Sequence, residues 1–520
     1  MMDPVALQAR RRPHAPAVVG AGATAVTYEE LDRLVEEAAG ALMEVCRAEG
    51  LRPPIRPGEA AWRNETGERV GAPAVSVRFR PSLEGVVAIH AVWRAGAILL
   101  PLNPGWSDAQ LERILPPEWT PGFTLAQGED GGPGVLKRGE TALPSRTTLP
   151  RRTSLPRRTT HARRTGVQGA KGPDPVAVML TSGTDGLPTA VPVSRENLEF
   201  SARGSADRLS LTEDDVWLWT LSPAHIGGLA LVHRAAFLGC AVQPLPRFTG
   251  EGAAALLSHP GFSHASLVPV MLRDLLEVWG RRAPPPRLRC LLLGGAATPR
   301  GLVEQAVRAG FSVALTYGLT QATSQVATNP PEAVARELSS GGELTVGMPL
   351  PGVSVEIVEP DARGVGGIRV RGGTVALPSS GGGEGVSPHG VMEAYLDTGD
   401  LGALNDSGRL RVLGRQSRRI ISGGVNVEPG EVEEVLLRHP GIREVVVLGR
   451  PHPRWGEEVV AVVVEDRPEA GVRLPDILEY TRPLLPAAAR PRALRVVEAL
   501  PRNPNGKVDL AAVRAMLQER

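Results

Sequence analysis

Small hydroxyl residues alternate with glycine in Thr181-Ser182-Gly183-Thr184-Asp185-Gly186-Leu187-Pro188. Such a segment can cradle phosphate, because glycine lets backbone N–H groups approach an anion closely and serine and threonine hydroxyls add donors. It is not a P-loop, since the G-x-x-x-x-G-K-S/T pattern is absent. The same residues also make an ordinary turn after a strand. The apolar run from Pro175 to Leu180 precedes the loop and reads as the short buried strand that would deliver it.

Further units of the same kind follow. Val216 to Thr220 reads as a strand leading to Ser222-Pro223-Ala224-His225-Ile226-Gly227-Gly228-Leu229, which opens an apolar helix. Ala265 to Val268 is another strand, with a helix from about Pro269. Arg289 to Leu293 ends at Gly294-Gly295-Ala296-Ala297, and Phe311 to Leu315 ends at Thr316-Tyr317-Gly318-Leu319-Thr320-Gln321. In open α/β sheets ligands bind at the carboxyl ends of strands, so these loops are expected to line one crevice. Earlier, Val18-Val19-Gly20-Ala21-Gly22-Ala23-Thr24-Ala25 imitates a dinucleotide fingerprint. Its helix signal starts only at Thr27, with Glu30 as a capping box, so the glycines read as a hairpin. A helix from Tyr28 to about Val45, a second from Gly85 to Ala95, and a strand Ala97 to Leu102 complete an α/β unit.

Composition bounds the partners. The 520 residues suffice for two or more domains, and 58 basic against 56 acidic residues argue against nucleic acid as a main partner. No apolar run reaches the roughly 18 residues of a membrane span. The N-terminus has no apolar leader, and the three scattered cysteines, Cys46, Cys240 and Cys290, suit reduced buried thiols in a cytoplasmic protein. Between Gln127 and Pro173 the chain turns basic and proline-rich. Leu149-Pro150-Arg151-Arg152-Thr153 recurs as Leu155-Pro156-Arg157-Arg158-Thr159, without an apolar face. This reads as a disordered surface insert, about 128–172, rather than a tail for acidic partners. Gly372 to Gly390 also reads as loop.

Taken together, Thr181 to Pro188 resembles the phosphate-loop signature of the adenylate-forming superfamily of acyl-CoA synthetases, luciferases and peptide-synthetase adenylation domains. Other landmarks follow in family order: Ala95-Gly96-Ala97 to Pro101-Leu102-Asn103-Pro104, the adenine-site motif Thr316 to Thr320, and the ribose-site motif Tyr395-Leu396-Asp397-Thr398-Gly399-Asp400. The hinge and hairpin span Gly414-Arg415 to Ile420-Ile421-Ser422-Gly423-Gly424-Val425-Asn426, and the lysine motif is Pro501-Arg502-Asn503-Pro504-Asn505-Gly506-Lys507.

The resemblance implies an α/β fold with a large N-terminal domain of stacked α/β subdomains, 1–414, and a small mobile α+β C-terminal domain, 415–520. It implies attack of a carboxylate on the α-phosphate of ATP, then displacement of AMP by a thiol. Catalysis then rests on positioning and neutralising anions. Thr181, Ser182, Gly183, Thr184 and Gly186 would hold the β- and γ-phosphates. Tyr317, between Thr316 and Gly318, would stack on adenine, edged by Gly295, Ala296 and Ala297. Asp400 would take the ribose diol, helped by Arg415, and Lys507 would bridge carboxylate and α-phosphate, with Thr320 and His225 as the other catalytic candidates. Ser422, Gly423 and Gly424 would border the CoA path. No carrier domain follows Arg520, so free CoA is the expected thiol.

Three positions depart from the pattern. Thr189 replaces the usual lysine after the loop, Ser417 the usual hinge residue, and Gln321 the glutamate that helps Thr184 hold Mg²⁺. An amide oxygen is a poorer ligand for a hard cation than a carboxylate. Arg195 is the nearest substitute cation in sequence. The His225 segment and the run Thr320 to Thr328 are most similar to the o-succinylbenzoate–CoA ligase branch of menaquinone biosynthesis, where His225, Ser324 and Gln325 would meet the substrate. Another aryl- or fatty-acyl-CoA ligase, or a nucleotide-binding homologue with weakened catalysis, is the alternative. Oligomeric state stays open, a homo-oligomer included.

Deleting Leu149 to Thr165 is expected to leave the melting temperature and activity nearly unchanged, because the repeat has no apolar face to bury. Loss of soluble protein on deletion would show that it packs.

Overall fold

The computed structural model describes residues 3–20, 25–48, 50–51, 62–63, 69–70, 72–102, 123–126, 135–137, 175–182, 188–376, 395–467, 471–502 and 508–518. A nine-stranded sheet runs in the order 348–349, 324–329, 313–319, 290–293, 264–267, 216–219, 241–244, 16–19, 25–27. Its central strands are parallel and end in one direction. A six-stranded sheet stands beside it in the order 188–194, 175–182, 98–101, 74–78, 123–126, 135–137. One apolar core joins the two. It holds Val75, Leu99, Ala177 and Met179 of the smaller sheet, Trp217, Trp219 and Val242 of the larger, and the helices Tyr28–Ala48, Leu83–Arg94 and Ile226–Leu238 between them. The helix Tyr28–Ala48 turns Leu31, Val35, Ala38, Leu42 and Cys46 inward at helical spacing, which is why it forms there.

An antiparallel sheet follows, 353–358, 366–372, 396–404 and 410–415. The smaller C-terminal domain packs its own core. There Val432, Leu436, Val447, Val459, Val463 and Ile477 join the helices Pro429–Leu436 and Leu474–Thr481 to a sheet in the order 425–427, 420–422, 456–465, 442–452. Among the described residues, ion pairs that tie the large domain to the C-terminal core include Arg363 with Glu431 at 3.4 Å and Arg273 with Glu444 at 3.9 Å.

The expected Gly20–Gly22 hairpin is present as paired strands Pro16–Val19 and Ala25–Thr27, although residues 21–24 lie outside the described set. All three cysteines are buried and none forms a disulfide. No helix among the described residues is long and apolar enough to cross a membrane. Two expectations change. Inside the expected insert, Val135–Lys137 forms an edge strand antiparallel to Phe123–Ala126; the rest, including the Leu149–Thr165 repeat, lies outside the described residues, as does 377–390 of the expected Gly372–Gly390 loop. The strand after Pro175 does not stop at Leu180 but continues through Thr181 and Ser182.

The first helix, Pro4–Arg11, is docked by Asp3. Its carboxylate caps Val5 N at 2.7 Å and lies 3.6 Å from His90 Nδ1 and 3.4 Å from Arg94 Nε. Burial alone would raise its pKa, but His90 and Arg94 outweigh burial and hold it at about 2 against an ordinary 3.8. This stabilisation is therefore present above pH 3.8 and disappears as pH falls through about 2. Asp3→Asn is expected to cost about 2 kcal/mol at neutral pH and to flatten the stability profile between pH 4 and 2, as read by chemical denaturation across that range.

Candidate active site

The phosphate-loop candidate sits at the tip of a hairpin. Pro175–Ser182 pairs antiparallel with Pro188–Ser194, Ser182 opposite Pro188 and Thr181 opposite Thr189, with Thr181 Oγ1 donating to Thr189 O at 3.3 Å. Gly183, Thr184 and Gly186 lie in the connecting residues outside the described set. Thr189 is therefore a strand residue at the hairpin mouth. Arg195 starts the helix at the opposite end of Pro188–Ser194, a strand of seven residues and so about 20 Å long, which removes it as the substitute cation.

The strand Val313–Leu319 carries Thr316, Tyr317 and Gly318 and turns through the short helix Thr320–Ala322 into Ser324–Asn329. A Cβ on Gly318 would lie 1.7 Å from Ser324 O, so only glycine permits this pairing. Two non-glycine residues in the turn, Thr323 (φ 45°) and Ser324 (φ 87°), adopt left-handed backbone. Strain of this kind persists only where the surroundings impose it. Gln321 and Thr320 sit half-buried in this turn.

Tyr317 reaches out of the large sheet. Its hydroxyl donates to Asp400 Oδ2 at 2.5 Å, and Asp400 Oδ1 meets Arg415 Nε at 3.0 Å. Arg415 also donates to Thr398 O at 2.7 Å, and Thr398 Oγ1 accepts from Asp400 N at 3.1 Å. Burial and the Asp400 carboxylate push the Tyr317 phenol above its ordinary value, so it stays protonated and donating at neutral pH. Gly295, Ala296 and Ala297 are exposed at the end of the adjacent strand Cys290–Leu293. His225, half-buried, occupies the N-cap of Ile226–Leu238. Ser324 is half-buried, but Gln325 is not presented to the crevice. Its amide oxygen accepts from Ser205 and from Arg234 (3.4 Å), and its nitrogen donates to Thr316 and Thr328 at 3.2 Å each. The expectation that Gln325 donates to a substrate is corrected accordingly: both ends of its amide are engaged within the protein.

Arg234 is the residue the sequence reading missed. It lies on Ile226–Leu238 nine residues after His225, is 4% exposed, and stands over the Trp217 ring at 5.6 Å, whose other contact is the stacked His264 ring. Among the described residues no carboxylate forms an ion pair with it. Burial lowers its pKa to about 10, so it remains charged at pH 7. Its sequence signal was an arginine inside the apolar run Ile226-Gly227-Gly228-Leu229-Ala230-Leu231-Val232-His233-Arg234.

On the small domain, Gly423 (φ 60°) and Gly424 (φ 79°) close the hairpin between Ile420–Ser422 and Val425–Val427. Gly423 N donates to Trp455 O at 2.8 Å, and Arg454 and Arg492 flank the Trp455 ring at 4.9 and 4.1 Å. Ser422 is buried. Lys507 lies outside the described residues, but its segment is bracketed by the Arg502–Val508 bridge, with Arg502 donating to Glu444 at 2.5 Å.

Strand ends converging on a tyrosine–aspartate–arginine set, facing a small domain that carries a glycine hairpin, define a two-domain nucleotide-dependent enzyme. The chain belongs to the AMP-binding enzyme family: that family model matches residues 63–378, and the model of the AMP-binding enzyme C-terminal domain matches 431–507. It is 31% identical, over 86% of its length and 89% of the relative's, to a 2-succinylbenzoate–CoA ligase of Bacillus cytotoxicus. It is similar in structure to the o-succinylbenzoate CoA synthetase of Bacillus subtilis. In complex with the acyl-adenylate OSB-AMP that enzyme gives a TM-score of 0.73 at 26% identity, covering 100% of this chain and 98% of the other. With ATP and magnesium the TM-score is 0.73 at 26% identity, covering 99% of both. A double mutant of the same enzyme with the product analogue OSB-NCoA gives 0.58 at 26% identity, covering 100% and 98%.

Gly318→Ala is expected to destabilise the protein by about 1–3 kcal/mol or more by prising the strained Thr320–Ser324 turn from its strand, as read by chemical denaturation.

Proposed function

We propose that this chain is an ATP-dependent, AMP-forming acid–CoA ligase that converts o-succinylbenzoate to o-succinylbenzoyl-CoA, a step of menaquinone biosynthesis, in the cytoplasm. The observation that carries the choice of acid is Arg234. A buried guanidinium without a carboxylate partner is costly, and a ligand anion offsets that cost. o-Succinylbenzoate has two carboxylates. One is activated, and the other remains an anion that a buried cation can receive. Gln325, held by Ser205, Thr316 and Thr328, positions Arg234 rather than meeting the acid itself. His225 and Ser324 line the approach.

In the first step a carboxylate oxygen attacks the α-phosphorus of ATP, and the bond to the β-phosphate oxygen breaks, releasing pyrophosphate. Thr181, Ser182, Gly183, Thr184 and Gly186 hold the leaving phosphates. Tyr317 stacks on adenine beside Gly295, Ala296 and Ala297, between Thr316 and Gly318. Asp400, set by Tyr317 and Arg415, accepts the ribose hydroxyls. Lys507 lies between the two anions as a mobile point charge, and Thr320 donates beside it. The amide of Gln321 and the hydroxyl of Thr184 are neutral oxygen donors, which suit Mg²⁺ carried mainly by nucleotide phosphates and water. Bound there, the ion would neutralise phosphate charge. In the second step the CoA sulfur attacks the acyl carbon, the carbon–oxygen bond to AMP breaks, and the thiol proton leaves to solvent. The small domain, from about residue 415, brings Ser422, Gly423 and Gly424 to the CoA arm, and Arg454 and Arg492 suit its phosphates.

Two measurements test this reading. Arg234→Met should raise KM for o-succinylbenzoate roughly 10- to 100-fold, a loss of about 1.4–3 kcal/mol, while leaving kcat/KM for an aryl monocarboxylate nearly unchanged. Equal losses on both acids would remove Arg234 from substrate choice. Lys507→Ala should slow pyrophosphate release by roughly 10²–10³ while sparing the conversion of supplied acyl-adenylate and CoA. Nucleotide binding without turnover of any acid would favour the binding-homologue alternative.

A further inference from the structure

A cavity of about 280 Å³ lies between the two domains. Arg273 and Arg300, from the large-domain helices Pro269–Trp279 and Arg300–Arg308, face Arg438 and Arg443 of the small domain, with Gln305 and Glu434 among them. None of these residues belongs to the nucleotide, acid or CoA sites above. The carboxylates nearby act as struts. Arg300 Nε meets Glu304 at 2.7 Å, Arg438 meets Glu434 at 2.6 Å, and Arg273 meets Glu444 at 3.9 Å. Asp274 stands close to Arg273 and Arg502. Arg300 also donates to Gly342 O at 2.6 Å. Each guanidinium has five N–H donors, so these bonds still leave donors for a ligand. Arg443 has no ion pair among the described residues.

We propose that this cavity binds a multiply charged phosphate group, a diphosphate or its equivalent, and that the bound anion holds the two domains in the arrangement seen here. Four planar forks converging from both domains match several phosphate oxygens at once, and the volume exceeds what a single carboxylate fills. A group held from both sides resists separation of the domains. The effect would reach the catalytic segment through a short chain of charges: Arg273 on the cavity wall meets Glu444, and Glu444 also holds Arg502, at the base of the segment leading to Lys507. Occupancy thereby favours the arrangement that presents Lys507 and opposes rotation toward thioester formation. That consequence rests on the ligase reading above; the binding does not.

The shared chemistry has two sources in this reaction, free pyrophosphate and the nucleotide phosphates of CoA. Equilibrium dialysis of the full chain against labelled pyrophosphate, without magnesium, is expected to give two equivalents bound. The variant Arg300→Ser/Arg443→Ser should give one, with ATP affinity and melting temperature unchanged. Adenosine 3′,5′-bisphosphate added in excess distinguishes the sources: displacement of the second equivalent assigns the cavity to a nucleotide phosphate, and retention assigns it to pyrophosphate. A single equivalent in the wild type, or two in the variant, would overturn the proposal. Should the double variant fold poorly, Arg443→Gln alone is expected to weaken the second equivalent at least tenfold, and an unchanged affinity would count against the site. None of these readouts involves the carboxylic acid, so they stand apart from the test of substrate choice.

Discussion

The bond from Tyr317 to Asp400 links two sheets of the molecule. Tyr317 belongs to the nine-stranded sheet and Asp400 to the antiparallel sheet that follows, where Arg415, on the other oxygen of Asp400, ends the last strand. A buried carboxylate that receives a phenol and a guanidinium is held by charge-assisted bonds, roughly twice as strong as neutral ones. The parts of the crevice that come from different sheets keep their spacing because of it. The strained turn after Tyr317 is tolerated for the same reason. Thr323 and Ser324 are fixed by the pairing of Gly318 with Gln325, and Gln325 is fixed in turn by Ser205 and Thr328.

Behind that strand the chain buries a charge. Arg234 shares a network with Gln325 and Trp217, and through Gln325 it is two hydrogen bonds from Thr316 in the adenine-site strand. A fold seeking stability alone would place an apolar residue there. Retaining the cation makes sense where a second carboxylate arrives with the substrate. On the proposed function, adenine and acid would be positioned against this one network.

Much of this was legible in the chain. Loops of glycine, serine and threonine after apolar runs announced strand ends, and those ends do converge. The parallel strands at Val216, His264, Cys290 and Val313 start within a residue or two of where periodicity set them. What escaped has a common cause. Thr181 and Ser182 read as loop because their types favour turns, yet pairing with Pro188 and Thr189 keeps them in a strand. Arg195 looked close to the missing lysine by count, but an extended strand carries it away. Gln325 has no local signature and Arg234 only its place in an apolar run, since their partnering spans 120 and 91 positions of the chain. Val135–Lys137 is too short to outweigh the composition around it.

The central claim is that a carboxylate oxygen attacks the α-phosphorus of ATP. The most direct measurement supplies o-succinylbenzoate labelled with ¹⁸O in its carboxylates, together with ATP, Mg²⁺ and CoA, and locates the label by mass spectrometry. The account predicts one ¹⁸O in the phosphate of AMP and none in pyrophosphate. Label in pyrophosphate or inorganic phosphate, or unlabelled AMP alongside thioester, would contradict it.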